Sequence, residues 1–229
     1  MAYETLHTMH MRKKGKKGLI ALKLYISKVY DWVEWPFLQG MMQKMGFFDK
    51  WIGWVMGCVT TPSSFILING KPYGNINPSS SIHQGDPLSP YLFLLCVVGL
   101  TSLLTKVEHD GRIHGVSVCR RAPKISYLMF ANDSFLFCRA TQGEVEVINE
   151  ILQVYAHASG QCINMDKSSV YFSSNTPNRQ REEIVATLGV KQVEKFEAYL
   201  GLPTLVGRAK YQTFSYLKDR VWKKLQGCL

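Results

Sequence analysis

The sequence predicts an α+β fold, in which β-hairpins and amphipathic helices are intermixed along one chain of 229 residues. Hydrophobic residues make up 46% of the chain, which is enough for a sizeable core. Two β-prone runs, 125–130 and 134–138, are separated by Ala131, Asn132 and Asp133, which predicts a tight hairpin with amide and acidic side chains at its tip. The apolar residues of 142–158 recur at helical spacing, which predicts a helix.

The remaining elements have local signals of their own. The apolar run 21–26 predicts a short buried strand. A helix is predicted to begin at Trp35 and to end at Gly46, because the apolar positions between them follow helical spacing. Asp49 is predicted to cap the next helix. The apolar face of that helix would consist of Ile52, Val55, Met56 and Val59.

The middle and the end of the chain give three further predictions. Residues 63–69 predict a strand, and Asn69-Gly70 predicts the hairpin turn after it. After a polar, turn-rich loop over 80–90, the very apolar stretch 91–104 is too short to span a bilayer and predicts a buried helix. A final helix is predicted over 211–225.

The charge of the chain indicates a polyanionic partner. The formal net charge is +10 and the isoelectric point is about 9.3, which favours nucleic acid among the candidate partners. Ribosomal, membrane-surface and secreted basic proteins share such a balance. The basic run 12–17 is typical of a solvated loop that touches phosphates, or of a nuclear import signal.

The cysteines do not indicate a metal site or a disulfide framework. Six of them are scattered along the chain, and none of their spacings, with the histidines nearby, completes a zinc ligand set. We therefore expect reduced thiols, as in a cytosolic or nuclear protein.

Five segments, taken together and in order, carry a resemblance to a known family. They resemble motifs of the reverse transcriptase domain of non-LTR (LINE-type) retrotransposons, in the form common in plants. The segments are ALKLYISKVYDWVEW (21–35), SIHQGDPLSPYLF (81–93), YLMFANDS (127–134), GQCINMDKS (160–168) and YLGLP (199–203).

The resemblance implies a polymerase palm, with an antiparallel sheet flanked by helices. Residues 1–175 would form the palm, and residues 176–229 the primer grip and the start of a helical thumb or connection region. The sequence begins just before the first of these motifs, so we expect a truncated domain without the family's fingers segment.

The resemblance also implies a two-magnesium site whose ligands are mostly replaced. Carboxylates on adjacent strands of the palm hold two Mg²⁺ ions that activate the primer hydroxyl and neutralise the leaving pyrophosphate. The position of the first metal-binding aspartate is Tyr25, and the hairpin positions are Asn132 and Asp133, so only Asp133 keeps its carboxylate. We therefore expect weak or lost Mg²⁺ binding and no catalysis.

Other residues match positions of the family that contact nucleotide or template. Tyr30 matches an aromatic steric gate against the ribose 2′-hydroxyl. Gln84 and Gly85 match the loop that positions the incoming nucleotide and the template, and His83 replaces the usual arginine there. Lys167 matches a lysine that protonates the leaving pyrophosphate.

The predicted function is that of a fragment of an RNA-directed DNA polymerase. Ancestrally it would add deoxynucleotides to a DNA primer 3′-hydroxyl on an RNA template, in the nucleus or the cytoplasm and without a membrane partner. The alternatives are a catalytically silent nucleic-acid-binding protein, a reverse transcriptase of the intron-maturase type, or an unstable translation product. The sequence leaves the oligomeric state open.

Overall fold

The computed structural model describes residues 1–13, 15, 17–27, 31–76, 78–82, 85–119, 121–130, 133–196, 198–199, 202–203 and 210–226. Its helices are α1 (Ala2–Met11), α2 (Trp35–Lys44), α3 (Asp49–Thr60), α4 (Ser89–His109), α5 (Gln142–Ser159), α6 (Asn178–Leu188) and α7 (Lys210–Gln226). Its strands are β1 (Leu19–Ser27), β2 (Ser64–Ile68), β3 (Lys71–Ile76), β4 (Val116–Ser117), β5 (Lys124–Ile125), β6 (Tyr127–Phe130), β7 (Asp133–Arg139), β8 (Cys162–Ile163), β9 (Ser169–Phe172), β10 (Lys191–Gln192), β11 (Ala198–Tyr199) and β12 (Leu202–Pro203).

The main sheet has β1 at its centre. The strand order is β10-β9-β1-β7-β6, and β8 also pairs with β1. The pairs that β1 makes with β7, β8 and β9 are antiparallel, and the β9–β10 pair is parallel. This mixed architecture with a mostly antiparallel sheet confirms the predicted α+β, palm-type fold.

The central strand is apolar on both faces, because it is covered on both. Ile20, Leu22 and Leu24 join the core that the sheet forms with α4, α5 and α6. Leu19 and Ala21 face the other side, where α1 covers them. The alternation is the two-residue period of a strand, and it explains why the predicted strand at 21–26 extends over the whole of Leu19–Ser27.

The helices after β1 follow the predicted periodicity. Helix α2 ends where Gly46 adopts a positive φ of 82°, as predicted. Helix α3 buries Ile52 and Val55. The predicted cap was wrong: Phe48 is the N-cap residue, and Asp49 lies in the first turn, where the helix dipole favours a carboxylate.

Helix α4 is longer than its sequence predicted. It has 21 residues, and among the described helices it is the one long and apolar enough to cross a membrane by length and composition alone. Its buried side chains pack against α2 and α5 in the core. A helix in the core of a protein can be equally long and apolar. The buried residues are Ser89, Leu92, Phe93, Cys96, Val97, Leu100, Leu104 and Val107.

Two helices were not predicted. Helix α1 buries Leu6 and Met9 against the sheet. Helix α6 buries Ile184 and Leu188, and it joins the same core as α4 and α5. The domain boundary at residue 175 stays a prediction. The last helix, α7, spans nearly the predicted residues.

The hairpin β2–β3 has the predicted turn. Ile68 pairs with Lys71, and the two residues between them, Asn69 and Gly70, have φ angles of 51° and 77°. Positive φ at both positions is the geometry of a type I′ turn, for which Asn-Gly is the preferred pair.

We predict that two glycines at helix ends differ in their tolerance of alanine. Gly160 and Gly189 end α5 and α6 with φ angles of 75° and 65°, so Gly→Ala costs about 1–2 kcal/mol of left-handed strain at either one. A Cβ on Gly160 would also collide with the carbonyl oxygen of Trp32, whereas one on Gly189 meets no heavy atom within 4 Å. Denaturant unfolding should show Gly160→Ala to be the more destabilising change, by about 1–3 kcal/mol. Equal losses would contradict the close approach of α5 to the segment after β1.

Candidate active site

The end of β1 and the start of β7 form the backbone of the candidate site. Tyr25 is the cross-strand partner of Asp133, which also pairs with Phe130 across the β6–β7 hairpin. Asp133 is therefore the first residue of β7 rather than part of the hairpin tip, where the sequence had placed it. Asn132 and the side chain of Asp133 lie outside the described residues. The register nevertheless brings two of the three positions implied by the resemblance side by side.

Two residues of the segment 160–168 hold the backbone at Tyr25. The Tyr25 N–H donates a hydrogen bond of 3.1 Å to Ser168 Oγ, and the Tyr25 carbonyl accepts one of 2.8 Å from the Asn164 N–H. Ser168 Oγ itself donates to the Asn164 carbonyl over 2.7 Å. The sequence analysis gave neither residue a role, although both lie in the motif that contains Lys167.

The turn after β8 brings Lys167 to Tyr25. The Asn164 side-chain oxygen accepts a hydrogen bond of 2.9 Å from the Lys167 N–H, which stabilises the turn. Lys167 Nζ lies 4.9 Å from the centre of the Tyr25 ring, within the range of a cation–π interaction. Lys167 is exposed, so such a contact contributes only about 0.5–1 kcal/mol.

A cavity of about 470 Å³ opens at this point. Among the residues that line it, the described side chains offer a phenol, an indole, hydroxyl, thiol and amide groups, and one ammonium, but no carboxylate. The lining residues are Tyr25, Ser27, Trp32, Cys162, Ile163, Asn164 and Lys167. Trp32 and Cys162 were not predicted, and they come from the loop after β1 and from β8.

The described part of this site does not fit a pair of magnesium ions. Mg²⁺ prefers hard, preferably anionic oxygen ligands, but the strand position offers a tyrosine, and an ammonium group lies over its ring. Within the described part of the chain, His, Cys, Asp and Glu form no group of three or more that could hold a metal. Asn132 and the side chain of Asp133 lie outside that part.

The loop that precedes α4 is fixed to the segment after β1. The Ser81 N–H donates to the Val33 carbonyl over 3.0 Å, and Trp35 Nε1 donates to the Ser81 carbonyl over 2.8 Å. Gly85 in this loop has a φ of 99°, which favours glycine. Tyr30, His83 and Gln84 lie outside the described residues, so their roles in nucleotide and template contact stay predictions.

The cysteines divide into buried and exposed thiols. Burial raises the pKa of the Cys96 thiol to about 12, and it also raises the pKa of Cys138, to which the nearby Glu144 carboxylate adds. Cys58, Cys119 and Cys162 are exposed, and Cys162 lines the cavity beside Tyr25. The five described cysteines are free thiols in the structure.

We predict that a thiol reagent at pH 7–8 separates these two groups. A raised pKa lowers the thiolate fraction, and the thiolate is the reactive form, so Cys96 and Cys138 should stay unlabelled in the native protein. Cys58, Cys119 and Cys162 should react, and denaturant should expose the other two. Peptide mapping by mass spectrometry reports each site separately. Native labelling of Cys96 at the rate of Cys58 would contradict the packing of α4.

Comparison with known proteins gives a family and three relatives. Residues 1–217 match the family described as "Reverse transcriptase (RNA-dependent DNA polymerase)". A mitochondrial protein of Arabidopsis thaliana, described as uncharacterized, is 33% identical over 115 residues, which are 48% of this chain and 90% of that protein. The Pol polyprotein of a type-1 retrotransposable element from Popillia japonica is 26% identical over 76% of this chain, and an uncharacterized protein of transposon TX1 from Xenopus laevis is 26% identical over 70%. The aligned parts are only 27% and 12% of these two proteins.

Proposed function

The chain belongs to the reverse transcriptase family, and we propose that it is a palm region of a non-LTR retrotransposon enzyme that binds nucleic acid but has lost polymerisation. The observation that carries this proposal is the arrangement at Tyr25. A tyrosine stands opposite Asp133 in the sheet, at the position where the resemblance implies a carboxylate, and Lys167 lies over its ring.

The ancestral reaction is the RNA-templated addition of a deoxynucleotide to a DNA primer. In enzymes of this kind, divalent ions neutralise charge on the transferred phosphoryl group and activate the attacking hydroxyl. Tyr25 and Asn132 remove two negative charges from the positions that would hold those ions. Loss of a single hydrogen-bond donor from an oxyanion hole costs about 100- to 1,000-fold in rate. The loss of two charged metal ligands therefore supports an inactive protein.

The remaining features support binding of nucleic acid without chemistry. The net charge of +10 attracts a phosphate backbone, and Lys167 is exposed at the mouth of the cavity. The hydrogen bonds that Asn164 and Ser168 form with the backbone of Tyr25 hold the end of β1 in place, and they do not involve the side chain at position 25. The partners would be an RNA template and a DNA primer, and the location would be the nucleus or the cytoplasm.

The first test concerns catalysis and metal binding. Primer extension on an RNA template with Mg²⁺ should not exceed a no-protein control. Replacement of both Tyr25 and Asn132 by Asp should restore Mg²⁺ binding, measured by calorimetry, because the two new carboxylates could then converge with that of Asp133. Tyr25→Asp alone should bind Mg²⁺ more weakly than the double replacement, because it supplies one carboxylate fewer to offset the nearby Lys167 ammonium.

The matched control is the same double replacement in a chain that also carries Asp133→Asn, which should lose the recovered Mg²⁺ binding. Template-dependent extension by the unmodified chain would overturn the proposed loss of catalysis. Failure of the double replacement to bind Mg²⁺ would argue that these three positions do not form the metal site.

The second test concerns binding of nucleic acid. If phosphate contacts dominate, the logarithm of the affinity for a single-stranded oligonucleotide should fall linearly with the logarithm of salt concentration. The slope should be about −0.7 for each phosphate contacted. Fluorescence anisotropy at salt concentrations from about 50 to 300 mM measures this slope, because the affinity of such complexes is sensitive to salt in this range. An affinity that does not change with salt would contradict the proposal.

A further inference from the structure

The N-cap residue and the first half of α3 carry aromatic side chains that the core does not use. Phe48 is 85% exposed, Trp51 49% and Trp54 58%. The adjoining face of α3 buries Ile52 and Val55, so this helix already has its core contacts without the exposed rings. Exposed aromatic side chains that are clustered in this way indicate a binding surface.

Two of these rings, those of Phe48 and Trp51, border a cleft. A cavity of about 440 Å³ is lined by Met45, Gly46, Phe47, Phe48 and Trp51, and we call it the Phe48 cleft. Phe48 caps α3, and the Trp51 N–H donates to its carbonyl over 2.9 Å, so both side chains project from the first turn of one helix. The cleft shares no lining residue with the cavity at Tyr25.

The charges beside the cleft favour a polyanion. Lys44 ends α2, and both Lys44 and Lys50 are exposed. Lys50 Nζ lies 5.3 Å from the ring centre of Trp54, while Asp49 contributes a negative charge in the first turn of α3. The balance of these three side chains is one positive charge, so stacking on the rings, rather than charge alone, must carry the affinity.

We propose that the Phe48 cleft stacks an unpaired base of single-stranded nucleic acid, with Lys44 and Lys50 beside the phosphates on either side. Aromatic rings combined with cations are the usual means by which proteins hold single strands with little sequence preference. This inference rests on the proposed nucleic-acid binding and assigns to it a second contact site, separate from the cavity at Tyr25. A purely apolar protein partner would not require the two flanking lysines.

The test measures how each variant changes the affinity for two ligands, one with bases and one without. Binding of a fluorescein-labelled thymidine oligonucleotide is compared with binding of an abasic strand of the same length and charge. Phe48→Ala and Trp51→Ala should weaken binding of the intact strand about 5- to 150-fold, as expected for a lost base–aromatic stack. They should leave binding of the abasic strand nearly unchanged, because it has no base to stack.

The controls separate the ring from the fold. Phe65→Ala removes a phenylalanine that is 56% exposed on β2 and does not line the cleft, so its affinity should stay at the level of the unmodified chain. Phe48→Leu keeps an apolar side chain and should still lose most of the stacking, whereas Phe48→Tyr should retain it. Cooperative thermal unfolding of each variant shows that the fold is intact.

Each outcome decides the inference. Equal weakening for intact and abasic strands, or no weakening, overturns the stacking site while the proposed nucleic-acid binding stands. No binding of any strand by the unmodified chain overturns both. If sedimentation shows that Phe48→Ala dissociates a dimer without a change in oligonucleotide affinity, the cleft is an interface between copies and the inference is wrong.

Discussion

The pairing of β1 with β7 and β9 is the constraint on which the rest of the structure depends. Strand β1 lies between these two strands, and a hydrophobic layer covers each of its faces. Its register is therefore fixed by buried side chains such as Leu22 and Leu24 far more than by the residues at its end. A slip by one residue would turn those leucines to the opposite face. The position of Tyr25 opposite Asp133 is thus set by the core.

This dependence explains how the site can keep its shape under the loss of catalysis that we propose. Asn164 and Ser168 contact backbone atoms of Tyr25, so an exchange of the side chain leaves these hydrogen bonds in place. Tyr25 is only partly buried and lines a cavity. A bulky side chain there opens no void in the core. Fold and catalysis can therefore be separated at this position.

The sequence was sufficient for elements with strong periodicity and insufficient for those with few apolar contacts. The helix α5 and the Asn69-Gly70 hairpin follow from local patterns, whereas α1 and α6 bury only a few large side chains each and were missed. The resemblance indicated that Lys167 belongs near the site. Its distance from Tyr25 could not be predicted, because it depends on how the turn at Asn164 folds over the end of β1. The exposure of the Phe48 side chain could not be predicted either, because it depends on which residues pack around it.

The hairpin β2–β3 has a consequence for the colloidal behaviour of the protein. Strand β3 contains Lys71, Pro72 and Gly74, which discourage further strand pairing, but β2 has four successive exposed apolar residues, 65–68, and no charge. At low salt, the net charge of +10 keeps molecules apart. Added salt screens this repulsion within about 10 Å at 0.1 M and leaves the apolar edges free to associate. Solubility and nucleic-acid affinity should therefore decline together as ionic strength rises, so turbidity belongs beside every salt titration of this chain.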